Sequence, residues 1–204
     1  MKKPLLLLAL ISFNLILLGQ SDDEELEKIG SQIFLPSVEI GYMFNHSDDL
    51  GGGFLTKTSL EYRIRNNNDL FFRLNYDKFD AEYNLNSDNN LTPVIKGTAV
   101  FSDILGGVGY REGDAKFRGF LLLQAGSRLY NFPVLVEEDD SIIIEQAQEN
   151  IFTSRITVGA EYYLNEKSAF VLDVFHGQIW ENRDWWSDSG MSYGASLGFI
   201  TTLF

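Results

Sequence analysis

Apolar and polar residues alternate along most of this chain, and this alternation restricts its possible folds more than any other feature of the sequence. In the stretch "FLTKTSLEYRIRNNNDLFFRLNYD", Phe54, Leu60 and Tyr62 fall on one side of an extended chain, whereas Lys57 and Arg63 fall on the other. Successive side chains of a β-strand point to opposite faces, so the pattern predicts strands with one apolar and one charged face. The polar tip "NNND" predicts a tight turn between two such strands. A soluble sheet and a membrane barrel both satisfy this pattern.

Runs of this kind recur to the end of the chain, and they predict eight strands. The runs lie at about 37–45, 54–64, 70–77, 96–111, 117–129, 152–164, 170–175 and 192–203. The run at 96–111 is the least regular, and its "ILGGVGY" predicts a bulge or a close backbone contact.

The connections between the runs are alternately long and short. Short turns are predicted at 66–69, 112–115 and 165–168, and long connections at 46–53, 78–93, 131–150 and 181–190, with room for a strand extension within 131–150. In an up-and-down barrel every second connection lies at the same end, so the tight turns share one rim and the long loops share the other. This segregation, with strands of about ten residues, is typical of a barrel that crosses a membrane.

The first residues have the composition of a secretory signal peptide. Two lysines precede an apolar run at 5–18, which is shorter than the roughly 20 apolar residues that a membrane-spanning helix needs. We therefore predict a signal peptide at 1–20, an acidic N-terminal segment at 21–32 and a barrel at 33–204. A retained short membrane anchor is the alternative interpretation.

Charge and cysteine content exclude several classes of function. Without the two lysines of the signal peptide, the 16 basic residues become 14 against 29 acidic ones, so the net charge is 14 − 29 = −15. Nucleic acids require a basic surface, so none is predicted as a partner. There is no cysteine for a disulfide or a thiolate metal site. His46 lies near two aspartates, which is too few ligands to indicate a metal, and we predict no metal and no cofactor.

The end of the chain carries a family resemblance. The final strand "YGASLGFITTLF", which ends in Phe204, is similar to the C-terminal signal that the outer-membrane assembly machinery reads. Together with the strand pattern, it makes the chain resemble the small eight-stranded outer-membrane barrels of the OmpA and OmpX type, and the short barrels common in Bacteroidetes. The resemblance implies an all-β, eight-stranded, antiparallel up-and-down transmembrane β-barrel in the outer membrane of a Gram-negative bacterium, with a periplasmic N-terminus. It also implies contact with outer-membrane lipids, lipopolysaccharide and the assembly machinery.

In such a barrel the apolar face meets lipid and the charged face points into the lumen. Buried charges are tolerated when they are paired and hydrogen-bonded, so we predict an interior ion-pair network. Its predicted members are Lys57, Glu61, Arg63, Arg73, Arg118, Arg128, Arg155, Glu161 and Asp173. An eight-stranded barrel is only wide enough for side chains, so a plugged interior is expected and a general porin is not. A narrow anion path lined by the excess arginine is the alternative.

The predicted outer loops contain apolar residues that are candidates for contact with a partner. "SIIIEQ" places Ile142, Ile143 and Ile144 in an otherwise polar connection, and Trp185 and Trp186 lie in the last one. A strand edge above the membrane would offer a partner protein unpaired backbone groups. The leading prediction is therefore a non-enzymatic barrel that acts structurally, as an interaction module, or as a subunit of a larger outer-membrane complex.

Two alternative functions remain open at this point. Small barrels of the lipid A deacylase and palmitoyltransferase kinds use a histidine and a serine, and a lipid A-modifying hydrolase here would use His176 with Ser154 and Ser192. The position two residues after His176 is Gln178, where the deacylase pattern has serine. The second alternative is a carrier of small hydrophobic molecules, which would need a lateral opening in the barrel.

Overall fold

Eight antiparallel strands close into a single barrel. The computed structural model describes residues 32–46, 50–64, 67–85, 95–138, 141–165, 167–180 and 190–202. The strands are β1 Gln32–Asn45, β2 Gly53–Ile64, β3 Asn67–Leu85, β4 Ile95–Gly113, β5 Phe117–Glu138, β6 Ser141–Asn165, β7 Ser168–Ile179 and β8 Met191–Thr202. Each strand pairs with its chain neighbours and β8 pairs with β1. The predicted fold class and strand number are confirmed. Among the described residues, no helix has the length and apolarity needed to cross a membrane.

The stagger of the strands sets the width of the barrel. Backbone partners can be followed from Glu161 on β6 once around the ring, and the path returns to β6 at Ile151, a displacement of 161 − 151 = 10 residues. With a rise of about 3.3 Å per residue and a strand spacing of about 4.8 Å, the strands tilt by about 40° and the backbone radius is about 8 Å. A barrel of this radius has room for interior side chains and for little else.

The apolar face of every strand is on the outside. On β2, side chains alternate between buried and exposed along the strand, and Val38, Leu60 and Leu197 are among the large apolar residues exposed outside. Exposed aromatics lie at both rims, such as Tyr62 beside a tight turn and Phe44 at the opposite end of its strand. An apolar surface around the whole barrel is stable in hydrocarbon and not in water.

The first strand contains one extra residue near its start. From Phe34 to Glu39, β1 advances by five residues while its partners on β2 advance by four, from Glu61 to Lys57. The pairing with β8 is also shifted between Pro36 and Glu39. Proline cannot donate a backbone hydrogen bond and is tolerated at a bulge, which places this irregularity at the segment that contains Pro36.

Tight turns join the strands at one rim, as predicted. The connections are residues 65–66, 114–116 and 166–167. In the second turn, the backbone amides of Lys116 and Phe117 donate to the Asp114 carboxylate at 2.8 and 2.6 Å, and these hydrogen bonds lower the pKa of Asp114. Gly113 has a φ of +146°, which only glycine adopts without strain, and a Cβ there would lie 2.2 Å from the Phe117 carbonyl oxygen.

The opposite rim differs from the prediction at one connection. Three connections are longer, at 46–52, 86–94 and 180–190, but β5 and β6 are joined by residues 139–140 alone. Most of the predicted long break at 131–150 is therefore strand. This strand is the extension for which the sequence left room. Part of the predicted loop at 78–93 is also strand, since β3 continues to Leu85.

The β5–β6 extension is a two-stranded ribbon. The pairing of β5 with β6 runs to Glu138 opposite Ser141. Within the described chain, β4 pairs with β5 only as far as Asn131, and β7 pairs with β6 only from Thr153. We call residues 132–138 and 141–150 the projecting hairpin, because they extend beyond the pairing with both neighbouring strands.

Candidate functional site

The lumen holds equal numbers of positive and negative side chains. Among the described residues twelve charged side chains are buried, each at most 5 % exposed. The acids are Glu39, Glu61, Asp77, Asp103, Glu161 and Asp173, and the bases are Lys57, Arg63, Arg73, Arg111, Arg128 and Arg155. Six of each give these twelve described side chains a net formal charge of 6 − 6 = 0. The predicted excess of arginine, which was the basis for an anion path, is therefore not present.

Glu61 is the centre of the larger ion-pair group. Its carboxylate accepts hydrogen bonds from Nε of Arg63 at 2.6 Å and from Nη2 of Arg73 at 2.7 Å, and it also pairs with Arg111. On the other side of the lumen, Glu161 lies 3.2 Å from Nη1 of Arg111 and 3.3 Å from Nη2 of Arg63. The hydroxyl of Tyr163 donates to Glu161 at 2.6 Å. Three guanidiniums are therefore shared by two carboxylates.

Lys57 connects this group to the seam, where β8 pairs with β1 and closes the barrel. Its Nζ is 2.8 Å from Glu39 on β1, 2.5 Å from Asp173 on β7 and 3.1 Å from the Ser196 hydroxyl on β8. Asp173 also lies 3.5 Å from Nη1 of Arg73, which connects the seam to the cluster around Glu61. One lysine on β2 thus contacts the three strands that precede it around the ring.

A second, smaller group lies towards the loop rim. Nε of Arg128 is 2.7 Å from Oδ1 of Asp103, and Nη2 of Arg155 is 2.8 Å from Oδ2 of the same carboxylate. Arg155 also pairs with Asp77. This group is neutral on its own, with two acids and two bases.

Aromatic side chains pack against arginines at both ends of the network. At the turn end, the Arg73 guanidinium is 4.7 Å from the Phe120 ring, and Arg111 is 4.3 Å from the Phe71 ring. Towards the loops, Arg128 is 4.9 Å from the Phe79 ring. These rings belong to two apolar clusters, which contain Phe71, Phe120, Leu122, Ala169, Val171 and Ile200 at the turn end and Met43, Leu50, Leu55, Phe79, Ala81, Ala99, Phe101, Tyr130, Ile151, Phe175 and Ile179 at the loop end.

Glycines on the inward faces make room for these rings. A Cβ at Gly109 would lie 2.1 Å from Cζ of Phe71, and one at Gly159 would lie 2.1 Å from Cζ of Phe120. The pairing of β4 with β3 and β5 is continuous. Gly107 and Gly109 of "ILGGVGY" therefore mark close contacts and not a bulge.

Arg118 is a correction to the predicted network. It is only partly buried, its Nε donates to the Asp114 carbonyl oxygen at 3.3 Å, and its guanidinium lies 5.4 Å from the Tyr163 ring. It lies next to a tight turn, where water can solvate its charge. The other eight predicted members, Lys57, Glu61, Arg63, Arg73, Arg128, Arg155, Glu161 and Asp173, lie in the lumen.

The prediction did not include four members of the network. They are Glu39, Asp77, Asp103 and Arg111. The period-two pattern contains the signal for each, because each occupies a position out of phase with exposed apolar neighbours on its own strand. Glu39 lies between Val38 and Ile40, for example, and both are exposed.

The residues of the hydrolase alternative do not come together. Ser192 is 2 % exposed and faces the lumen, whereas the His176 ring lies on the outside, with its centroid 4.7 Å from that of the exposed Tyr193 ring. Ser154 accepts a hydrogen bond from Nε1 of the exposed Trp180 at 2.8 Å. A nucleophile and its base must lie within hydrogen-bond reach, and His176 and Ser192 lie on opposite faces of the sheet. In the part of the chain that the structure describes, no group of three histidine or acidic side chains is arranged to hold a metal.

Several predicted positions lie wholly or partly outside the described residues. Trp185, Trp186 and Phe204 do, as do residues 1–31 with the predicted signal peptide. The backbone of Ile142, Ile143 and Ile144 is part of β6 in the projecting hairpin, opposite Glu137, Val136 and Leu135.

Comparison with known proteins relates the chain to solved barrels by fold alone. No protein-family model and no curated protein matches the sequence. Among solved structures, Neisserial surface protein A matches with a TM-score of 0.59 at 14% identity, over 86% of this chain and 100% of that one. The outer membrane protein OprG from Pseudomonas aeruginosa matches with a TM-score of 0.51 at 12% identity, over 88% and 99% of the two chains. The fold is therefore that of the small eight-stranded outer-membrane β-barrels.

Proposed function

We propose that this protein is a non-enzymatic barrel of a Gram-negative outer membrane that presents the projecting hairpin to a partner protein. Its N-terminus lies in the periplasm, and lipids and lipopolysaccharide surround its apolar face. The hairpin is the observation that carries this proposal, because it extends the sheet beyond the pairing with β4 and β7. A ribbon of this kind has backbone N–H and C=O groups along its outer edges, to which an extended segment of a partner can add as a further strand.

The filled lumen supports an interaction role over transport. Twelve buried charges in neutral groups and two apolar clusters occupy the lumen. Moving an ion through this layer would require breaking buried pairs, each of which costs about 3–5 kcal/mol when one partner is lost. The same side chains occupy the space in which a small hydrophobic molecule would have to bind.

The experiment removes the hairpin and keeps the barrel. Pro133 lies directly opposite Gln146, so residues 134–145 can be replaced by a two-residue Asn-Gly turn, which suits a tight hairpin. A matched control replaces residues 86–94 at the same rim by Asn-Gly, since Leu85 lies opposite Ile95. Both variants and the unaltered protein would be affinity-isolated from mildly solubilised outer membranes.

A specific outer-membrane or surface protein should co-purify with the unaltered chain and the control variant, and be lost with the hairpin deletion. Co-purification that survives the hairpin deletion would overturn the assignment of the hairpin. An unaltered protein that purifies alone would overturn the interaction role.

A further inference from the structure

Polar atoms in the middle of the lumen have no protein partner. Gln124 is 4 % exposed, and neither its Oε1 nor its Nε2 makes a hydrogen bond within the described chain. Oδ1 of Asn75 and Oδ1 of Asp77 are likewise buried and unpartnered there. A buried polar group without a partner costs about 1–3 kcal/mol, and such groups in proteins are usually satisfied by ordered water.

These atoms belong to inward-facing side chains on the two strands that flank β4. Asn75 and Asp77 are two residues apart on the inward face of β3, and Gln124 is on β5. Gly107 is paired with Gln124, and a Cβ on Gly107 would lie 2.6 Å from Cγ of Gln124. The Gln124 side chain therefore lies across the bare backbone of β4, in the direction of β3.

The unpartnered atoms indicate which kind of ligand can bind here. Oε1 of Glu39 and Oδ1 of Asp173 are also unpartnered in the described lumen, which makes five acceptor oxygens with those of Asn75, Asp77 and Gln124. The corresponding donors are Nε of Arg111 and Nε2 of Gln124. The ligand must therefore mainly donate hydrogen bonds. A metal cation would add positive charge to six acids and six bases that already balance, whereas water donates two hydrogen bonds and adds no charge.

We propose that Gln124, Asn75 and Asp77 form a binding site for ordered water inside the barrel. The apolar clusters that contain Phe71 and Phe79 lie on the turn side and the loop side of this site, since Asn75 and Asp77 lie between these two rings along β3. The bound water thus completes the hydrogen bonding of the ionic layer, and it exchanges slowly with the bulk because the aromatic side chains must move to let it pass.

Water-to-protein cross-relaxation by NMR tests this site in the refolded barrel. With side-chain amides labelled with ¹⁵N, the Gln124 and Asn75 amide groups should show NOEs to water of the negative sign that marks long-lived binding. The Gln124 resonance is identified by its loss in Gln124→Met, and the same variant should weaken the water NOE of Asn75 at least twofold. Gln178→Met is the control, because the Gln178 amide donates to the Ile179 carbonyl oxygen and should leave both signals unchanged.

Two results would overturn the proposal, and both are measured on the unaltered protein. The first is the absence of any water NOE at the Gln124 and Asn75 amides. The second is a melting temperature that changes when Li⁺, Na⁺ or K⁺ replace one another at constant ionic strength, which would identify the occupant as a cation.

Discussion

At the scale of single residues, Glu61 is the position on which the lumen depends most. Three guanidiniums converge on its carboxylate. Glu61→Gln leaves one positive charge in excess in a buried layer, and we expect a loss of about 3–5 kcal/mol in the free energy of unfolding. Urea unfolding in lipid vesicles, followed by tryptophan fluorescence, measures it.

Glu112→Gln is the matched control for this change, because Glu112 is exposed near a tight turn. It should change the free energy of unfolding by less than about 0.5 kcal/mol. Equal midpoints for the two variants would show that the Glu61 cluster contributes little to stability.

Two glycines of "ILGGVGY" offer an internally controlled test of interior packing. A Cβ at Gly109 would lie 2.1 Å from the Phe71 ring, so Gly109→Ala must displace that ring and should cost about 1–3 kcal/mol. At Gly106 the nearest atom to an added Cβ is Cδ1 of Leu74 at 4.0 Å, so Gly106→Ala should be tolerated. Unfolding midpoints would compare the two, and a larger loss for Gly106→Ala would contradict the packing described here.

At the scale of strands, Lys57 on β2 stabilises the seam between β1 and β8. Lys57→Met removes the cation that lies between Glu39 and Asp173, and it leaves buried carboxylates underneutralised. We expect the closed barrel to lose about 3 kcal/mol or more. The folded form should consequently unfold at a lower temperature in heat-modifiability gels. Lys78→Met, on the exposed face of β3, should behave as the unaltered protein does.

The tight turn at Asp114 should respond to pH. Its pKa is lowered by the amides of Phe117 and Lys116, so the ionised carboxylate stabilises the fold above the ordinary aspartate pKa of about 4, and this contribution is lost as pH falls through the lowered value. Asp114→Ala should therefore be less stable than the unaltered chain at pH 7. The difference should shrink by pH 3 when urea midpoints are compared, and a constant difference would contradict the assigned hydrogen bonds.

At the scale of the whole molecule, a neutral and filled lumen should not conduct. The purified barrel in a planar bilayer is expected to show no stable unitary openings in either salt gradient or symmetrical salt. The physical reason is that an eight-stranded barrel has room for little besides its interior side chains, so an ion would have to break buried pairs among the six acids and six bases. Regular, reproducible steps of conductance would contradict the sealed lumen.

Much of this architecture can be predicted from alternation alone. Period-two patterning identifies the outward face, since a strand can place every second residue only in one of two environments. Thus Val38, Leu60 and Leu197 lie outside, and Lys57 and Arg73 inside. The same rule applied strictly would also have placed Glu39, Asp77, Asp103 and Arg111 in the lumen.

The partners of those charges could not be predicted in this way. Lys57 meets Asp173, 116 residues later in the chain, because closure brings β2 and β7 onto the same lumen. The polar composition of 131–150 predicted a long break. Backbone pairing between β5 and β6 instead makes most of these residues part of the two strands.

The sequence by itself determined that eight strands form, which side of each is apolar, and which rim carries the tight turns, because these properties depend on neighbours within a few residues. Only the tertiary structure decided that the buried lumen charges balance, that aromatic rings pack against the arginines at both ends of the network, and that one hairpin extends beyond the ring. Those properties depend on the ten-residue stagger of a closed sheet. The stagger sets which side chains meet across the axis, and no local pattern encodes it.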